Sequence, residues 1–481
     1  MNFLITLLEK YFLPIAGKIG GQKHLVALRD AFVGTIPATM AGSVAVMLNA
    51  LLRDLPPQFF DGYDGNTIPI IKDIIAINGF IWNGTLAIAG LIFVFSWGFN
   101  LAKAYGVNEL SGGIVSTAAS IAGITFSFSG SITGLNLNQE TVDSINNAGW
   151  AATSEGITAA GWGWLPLSNL DANFFFTAMI IGFVATMIYV KLMLKDITIK
   201  LPESVPPAIS KAFAAIIPAT VALYVVGLFY YVFSKLVPDL TFLQWLQETI
   251  ALPLLGLSQG FGAVILVTLF VQLFWFFGIH GPNVLAPILE GVFGVAQLEN
   301  VNLFQQGGMD AVLESGYMWV RGSFDAYVWY GGSGGTIILI IALLLFSKRK
   351  DYRTIANLSV GPGIFNINEP IMFGLPIVLN PLMFIPFLIA PVVSVAIGYF
   401  ATILGLVAPV SVVVAWVTPP FLFSYLATGA DWRAPIVTLV AMVASFLIWL
   451  PFVISANKMD PDLTKEDPVV DSESDNNSIQ G

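Results

Sequence analysis

Apolar runs long enough to cross a lipid bilayer recur along this chain of 481 residues. A transmembrane helix needs about 20 consecutive apolar residues. Charged residues make up 10% of the chain, far below the roughly 25% of soluble domains. The sequence therefore predicts an all-α polytopic membrane protein, with spans near residues 31–52, 79–101, 111–128, 172–193, 212–234, 384–408 and 433–455.

The positive charges predict the orientation of these spans. Cytoplasmic segments of membrane proteins carry an excess of Lys and Arg. Up to the start of the fifth span, only Arg53 and Lys72 fall on one side, whereas the other side holds Lys10, Lys18, Lys23, Arg29, Lys103, Lys191, Lys195, Lys200 and Lys211. We therefore expect both termini to lie in the cytoplasm.

The two ends of the chain differ from the spans. MNFLITLLEKYFLPI reads as an amphipathic interfacial helix, because apolar residues recur at helical spacing and no small-residue cleavage site follows. Residues 458–481 hold seven Asp and Glu against Lys458 and Lys465 and contribute much of the net charge of −10. Such a charge run is typical of a disordered, solvated tail.

The loops divide the chain into two membrane domains, 1–236 and 258–457. Residues 129–171 hold no Lys or Arg, which predicts a long extracytoplasmic loop. Trp150, Trp162 and Trp164 indicate that part of this loop is ordered. Residues 237–257 read as an interfacial helix that connects the two domains.

The stretch FNINEPIMFGLPIVLNP sets one carboxylate, Glu369, in an apolar run broken by proline. A carboxylate at membrane depth usually faces a cavity and marks a pathway or a site. Backbone that proline breaks is tolerated there only inside protein or along a cavity. The stretch therefore predicts a polar site, to which Asn366 and Asn368 add amides.

A second stretch, WFFGIHGPNVLAP, has the same character. It places His280 between glycines, with Trp275 before it and Asn283 after it. Residues 280–335 are too polar for one span and too apolar for an ordinary loop, which predicts a re-entrant hairpin. The run GGSGG at 331–335 lacks the Lys and Ser or Thr of a P-loop, so we interpret it as a site of close backbone approach.

These residue types suit the binding of a sugar. A carboxylate, an imidazole and amides can clamp hydroxyl groups, and aromatic rings such as Trp275 and Trp416 can stack on the C–H faces of a sugar. A lone histidine in an apolar run is more often structural, and either tryptophan could belong to an interfacial belt. The occurrence of His280 and Glu369 in two similar broken stretches favours the functional interpretation.

Other classes of site find little support. With no cysteine and two histidines, the chain offers neither thiolate ligands nor a clear metal site, and we expect no cofactor. No basic patch with interleaved aromatic residues indicates nucleic acid. An ion-coupled secondary sugar transporter would also use broken helices and an intramembrane acid. An intramembrane enzyme with Glu369 and His280 as an acid–base pair is a further alternative.

Four segments carry a resemblance to a known family: IGGQKHLVALRDAFVGTIPATMAGS, FGIHGPNVLAPI, SFDAYVWYGGSGGT and NINEPIMFGLPIVLNP. In this order they resemble enzyme IIC, the membrane component of the bacterial phosphotransferase system, in its lactose/cellobiose/diacetylchitobiose branch. The resemblance implies about ten transmembrane helices, two re-entrant hairpins and a homodimer in the bacterial cell membrane. It also implies that the C-terminal domain carries the substrate by an elevator-type movement against the N-terminal domain.

The resemblance implies roles for particular residues. His280 and Glu369 would hold the 6-hydroxyl of a β-linked disaccharide, with Trp275 and Trp416 against its rings. In this family a phosphocysteine on the IIB component donates the phosphoryl group. Because this chain has no cysteine, we expect a separate phosphorylated IIB protein as its partner. The long segment 129–171 departs from the family pattern.

Overall fold

A computed structural model describes residues 21–457, apart from 55, 59, 148, 149, 164 and 376, together with Lys10, Pro14 and Lys18. The predicted N-terminal amphipathic helix, for the most part, and the acidic tail lie outside the described residues. Helices dominate the described part. Six of them, or seven if the bent pair Phe242–Ser258 and Phe261–Phe276 counts as one span, are long and apolar enough to cross a membrane. The structure is therefore that of a multi-pass helical protein.

The N-terminal half contains seven α-helices among its described residues, followed here in chain order by their bounds: α1 Lys23–Asn49, α2 Pro69–Asn83, α3 Ala89–Ala104, α4 Glu109–Ile121, α5 Gln139–Asn147, α6 Phe174–Leu194 and α7 Pro207–Leu236. Helices α1, α3, α4 and α6 pack together. Small residues allow this close packing, since a Cβ added at Gly98 would lie 2.4 Å from the carbonyl oxygen of Gly112 on the facing helix. The half is a compact helical bundle.

The expected all-α fold is wrong in one segment. Strands β1 Ser127–Thr133, β2 Ala151–Thr153 and β3 Gly156–Trp162 form an antiparallel sheet in the order β1-β3-β2. Two residues connect β2 to β3, where Thr153 pairs with Gly156. The alternation of small and larger residues in SFSGSIT and GITAAGW suits a strand. The predicted loop is thus largely ordered.

The predicted span at 111–128 is also wrong at its end. Helix α4 stops at Ile121, and residues from Ser127 belong to the sheet. Just beyond the helix, a Cβ added at Gly123 would lie 2.2 Å from the ring of Tyr230. The Tyr230 hydroxyl donates to the carbonyl oxygen of Ser120 at 3.3 Å. Packing against α7 therefore ends the helix earlier than the apolar run indicates.

The C-terminal half is built from shorter pieces. Its α-helices are α8 Phe242–Leu246, α9 Leu252–Ser258, α10 Phe261–Phe276, α11 Gly281–Val284, α12 Ala286–Ile288, α13 Val295–Ser315, α14 Arg321–Tyr327, α15 Thr336–Phe346, α16 Lys350–Ile364, α17 Glu369–Gly374, α18 Pro381–Ile403, α19 Pro420–Ala427 and α20 Arg433–Asn457. Wider π-helical turns occur at Ala50–Asp54, Gln247–Ala251 and Leu289–Gly294. The predicted connecting helix begins at Phe242, and a bend of 75° separates it from α10.

One segment of the C-terminal half, residues 286–304, packs along helix α1. Helix α12 contacts α1, and a Cβ added at Gly291 would lie 3.7 Å from Cζ of Phe32. Further along, Val301 and Phe304 share a buried apolar cluster with Val46 of α1. Residues 286–304 therefore run parallel to α1, from its Lys-bearing beginning towards its opposite end.

A partly buried ion-pair network stabilises the start of α14. Arg321 Nε donates to Glu290 Oε1 at 2.8 Å, and Arg321 Nη1 donates to Asp325 Oδ2 at 2.6 Å. The guanidinium also lies over the ring of Trp329, 5.0 Å from its centroid. The Arg321 and Asp325 side chains are only 18% and 15% exposed. Loss of the cation would leave two carboxylates close together with little solvent.

We predict that Arg321→Ala destabilises the protein by about 3–5 kcal/mol, because it leaves uncompensated charge in a poorly hydrated place. The measurement is thermal unfolding of the detergent-solubilised protein. Lys200→Ala is the control, since it removes a salt bridge to Asp196 that is exposed on both sides. Equal unfolding temperatures for the two variants would contradict the prediction.

Candidate functional site

His280 lies in a tight turn between α10 and α11. It is the N-cap of α11, and its Nδ1 accepts a hydrogen bond from the backbone N–H of Asn283 at 3.2 Å. This contact assigns the ring proton to Nε2, which is then the donor. A Cβ added at Gly281 would lie 2.2 Å from the carbonyl oxygen of Val271, so the turn packs directly on α10. The imidazole therefore has a defined orientation.

Trp275 packs on the other face of this turn. Its ring centroid lies 4.7 Å from that of His280, and its side chain is 2% exposed. Among the described residues no acceptor meets its buried Nε1. The tryptophan therefore supports the imidazole from within the protein rather than forming an open stacking surface in this conformation.

Asn366 and Asn368 hold the Glu369 turn against the glycine run at 331–335. Asn366 Oδ1 accepts from the N–H of Gly331 at 2.8 Å, and Asn368 Nδ2 donates to the carbonyl oxygen of Ser333 at 2.9 Å. Both asparagines are buried. Their amides substitute for backbone partners that a broken helix lacks. The predicted direct contact of these residues with substrate stays a prediction, and the observed contacts support a positioning role.

The same turn brings Trp416 to the site. Asn366 Nδ2 donates to the carbonyl oxygens of Trp416 at 2.6 Å and Thr418 at 2.9 Å. Trp416 is 51% exposed, so its ring has a free face. Of the two tryptophans predicted from sequence, Trp416 is the one whose ring is available for stacking in this structure.

Glu369 begins helix α17 directly after Asn368. Its side chain is exposed, and no described residue donates a hydrogen bond to its carboxylate in the structure. Carboxylate oxygens accept several hydrogen bonds. Glu369 is therefore free to accept hydrogen bonds from a ligand.

The two broken stretches contact each other. The N–H of Leu379 donates to the carbonyl oxygen of Phe276 at 3.0 Å, and the rings of Trp275 and Phe373 lie 6.4 Å apart between centroids. Asn283 is exposed beside His280. The structure therefore brings the stretches of His280 and Glu369 together, although about 90 residues separate them in the chain.

Two charged groups act on the His280 imidazole across space. They are the carboxylate of Glu369 and the guanidinium of Arg29 on α1. Arg29 Nε and Nη2 donate to Oδ1 of Asp30, and Arg29 lies two turns from the start of α1 at Lys23. The site therefore lies near the end of α1 that carries the positive charges.

Sequence reasoning missed Gln272, one turn before Trp275 on α10. Its side chain is 0% exposed, and neither amide atom has a partner among the described residues. Buried polar groups without partners are rare. A single amide in a mostly apolar helix was the available signal, and it gives the buried side of α10 a polar group one turn before Trp275.

The arrangement suits recognition of hydroxyl groups. Glu369 accepts, His280 Nε2 donates, and Trp416 offers an aromatic face. Within the part of the chain that the structure describes, no group of three or more His, Cys, Asp or Glu could hold a metal ion. The available chemistry is hydrogen bonding to a polar ligand at the junction of two broken helices.

Comparison with known proteins identifies the family. Residues 29–391 match the family model described as "Phosphotransferase system, EIIC". The chain belongs to the phosphotransferase system EIIC family. Both broken stretches, with His280 and Glu369, fall inside the matched region.

Relatives and a solved structure agree with this EIIC assignment. The chain is 47% identical to the "PTS system cellobiose-specific EIIC component" of Lactococcus lactis subsp. lactis (strain IL1403), over 96% of this chain and 99% of that protein. It is 31% identical to the "Lichenan permease IIC component" of Bacillus subtilis (strain 168), over 94% and 93% of the two chains. The crystal structure of ChbC, the IIC component of an N,N'-diacetylchitobiose-specific phosphotransferase system, superposes with a TM-score of 0.82 at 30% identity, over 94% of this chain and 98% of that one.

We predict that Gly332→Ala impairs sugar binding by this EIIC protein. Gly332 has φ +94, and a Cβ there would lie 2.7 Å from Cβ of Asn368, so the substitution displaces the residue before Glu369. Sugar affinity, measured by calorimetry, should fall at least tenfold. Gly361→Ala is the matched control, since a Cβ there meets nothing within 4 Å. Equal affinities in the two variants would contradict the prediction.

Proposed function

We propose that this EIIC protein binds a β-linked disaccharide of the cellobiose or diacetylchitobiose type and carries it inward. The observation that carries the proposal is the junction of the His280 and Glu369 turns, which presents an unengaged carboxylate beside an oriented imidazole. The names of the cellobiose-specific relative and of the diacetylchitobiose-specific neighbour support this substrate class.

Glu369 accepts a hydrogen bond from the 6-hydroxyl of the sugar, and His280 positions the same oxygen. A separate phosphorylated IIB protein then donates its phosphoryl group. The bond between the sugar oxygen and phosphorus forms as the sulfur–phosphorus bond of the IIB phosphocysteine breaks, and the hydroxyl proton leaves towards the Glu369 carboxylate. Asn283 lies exposed beside the imidazole, where it adds a further hydrogen bond to the sugar.

The site lies at the end of the protein that we assign to the cytoplasm. Arg29, which acts on His280, belongs to the end of α1 that the distribution of Lys and Arg assigns to the cytoplasm. A docked IIB protein would therefore meet the sugar from that side, with both termini of the EIIC chain on the same side.

Residues 1–236 act as a scaffold, and residues 258–457 move as the transport domain, joined by 237–257. The movement is elevator-like, in a homodimer with about ten transmembrane helices and two re-entrant hairpins per subunit. The ChbC superposition over 94% of this chain supports this architecture. Helix α7 carries many exposed large apolar residues, among them Tyr224, Leu228 and Tyr231, which suits a surface against lipid or a second subunit.

We predict that Glu369→Gln weakens disaccharide binding about ten- to a hundredfold. The substitution keeps the shape and one acceptor but removes the charge, and a hydrogen bond to a charged group contributes roughly 1.5–3 kcal/mol. Binding titrations with cellobiose and diacetylchitobiose measure the change. Glu314→Gln, at an exposed glutamate of α13, should leave affinity unchanged. An unaltered affinity in folded Glu369→Gln protein would remove Glu369 from the site.

We predict that accumulation of the sugar requires the phosphorylated IIB protein. Vesicles with this EIIC protein alone should show at most slow downhill entry of labelled disaccharide, and added phospho-IIB should produce the sugar phosphate inside. His280→Ala should reduce the rate of phosphorylation at least as much as it reduces affinity. Concentrative uptake without any IIB protein would refute this mechanism and favour an ion-coupled transporter.

A further inference from the structure

Three parts of the chain meet at a polar cluster outside the sugar site. Asp171 Oδ2 accepts from Asn302 Nδ2 of α13 at 3.0 Å. Asp171 Oδ1 accepts from the N–H of Asn173 at 3.0 Å. The Asn173 side-chain oxygen accepts from Gln247 Nε2 of the connecting segment at 2.8 Å. We call Asp171, Asn173, Gln247 and Asn302 the latch.

The Asp171 side of the latch is rigid. Helix α3 begins against it: the N–H of Leu91 donates to the carbonyl oxygen of Leu170 at 3.1 Å. A Cβ added at Gly90 would lie 2.4 Å from the carbonyl oxygen of Asp171. This backbone therefore belongs firmly to the N-terminal half.

The Asn302 side is equally fixed, but in the C-terminal half. Asn300, two residues before Asn302 on α13, donates through Nδ2 to the carbonyl oxygens of Tyr317 at 2.7 Å and Val410 at 2.9 Å. The N–H of Tyr317 returns a hydrogen bond to Asn300 Oδ1. The Asp171–Asn302 contact thus joins two separately anchored units, and a movement that separates the halves at this end breaks it.

The latch and the sugar site lie at opposite ends of the membrane domain. Asp171 precedes α6, whose far end carries Lys191 and Lys195, so the latch lies at the outer end. Beside it, Val301 and Phe304 pack with Leu86 of the N-terminal half. Arg29, which acts on His280, lies at the other end of α1. The two halves are therefore in contact at the outer end, and the proposed sugar site lies at the opposite end.

Asp171 is set to change charge near neutral pH. Burial raises its pKa from 3.8 to about 7, and the charge of Glu299 adds to this effect, whereas the hydrogen bonds from Asn173 oppose it. Burial also raises the pKa of Glu299. Burial and the charge of Glu299 both raise the pKa of Tyr317, which lies close to Glu299. Asn173, Gln247 and Asn302 are neutral. Among the described residues, Glu299 is thus the charged neighbour that acts on Asp171.

We propose that the latch, through its Asp171–Asn302 contact, closes the outer end of the protein when the sugar site faces the cytoplasm, and that protonation of Asp171 favours this closed state. The proposal rests on the proposed movement of the C-terminal half. Opening would return Asp171 to water and remove Glu299 from its side, so the open state binds the proton less tightly. Closure is therefore favoured as pH falls through about 7, and the effect ends near 3.8.

Because the chain has no cysteine, a pair of introduced cysteines can report the latch directly. Asn83 and Gln306 are exposed on the two sides of the outer boundary. Spin labels at Asn83→Cys and Gln306→Cys give a distance distribution by pulsed electron resonance in lipid nanodiscs. Between pH 8 and pH 6, we expect the ratio of the short-distance to the long-distance population to rise about tenfold, as one group of pKa about 7 requires.

The variants decide the cause of this change. Asp171→Asn should abolish the pH response, and Glu299→Gln should move its midpoint to lower pH. Asn302→Ala should deplete the short-distance population at both pH values, and Asn302→Asp should do so mainly at pH 8. Asp310→Asn, at an exposed acid of the same helix, should keep the full response.

Two results would overturn the latch: an undiminished pH response in Asp171→Asn, or an unchanged distribution in both Asn302 variants. Size-exclusion chromatography and cellobiose binding at pH 7 establish that each variant is folded. Uptake driven by phospho-IIB is measured in parallel. Loss of that uptake in the unmodified protein, with distances that still respond to pH, would count against the proposed function and leave the latch standing.

Discussion

The hydrogen bonds of Asn366 and Asn368 are the contacts on which the site depends. A broken helix at membrane depth has no water to satisfy its backbone, and these two amides take over that task for the glycine run at 331–335. Because Asn366 also holds the backbone at Trp416 and Thr418, one side chain joins three segments. Because Asn366 and Asn368 make the hydrogen bonds that hold this turn in place, the Glu369 carboxylate is not needed for them and can bind a ligand.

Different interactions hold the helices together in the two halves. In the N-terminal half, long helices approach each other closely through small residues such as Gly98 and Gly112. The C-terminal half relies on amides and on the Arg321 ion pairs to hold short helices in place. Directional contacts of this kind fix geometry more sharply than apolar packing does, which is what a binding site requires.

Much of the candidate site could be predicted from sequence, because an acid in a proline-broken apolar run is costly without a purpose. The contact between its two stretches could not, since the bond from Leu379 to Phe276 joins residues about 100 positions apart. The end of α4 at Ile121 depended on Tyr230 of another helix. The sheet, by contrast, was readable in the alternation of SFSGSIT, which a search for apolar spans passes over. The buried amide of Gln272 was visible in the sequence but had no local partner to give it meaning.

The π-helical turn at Leu289–Gly294 determines which side chains of the following helix, α13, face the N-terminal half. Such a turn contains one residue more than an α-helix would use over the same rise. Each residue of an α-helix rotates the chain by about 100°. With the extra residue, Glu290 faces Arg321 while Asn302 faces Asp171. Without the extra residue, α13 would be rotated by about 100° relative to Glu290, and the two side chains could not both reach their partners. The extra residue therefore changes the direction of the side chains rather than the length of the segment.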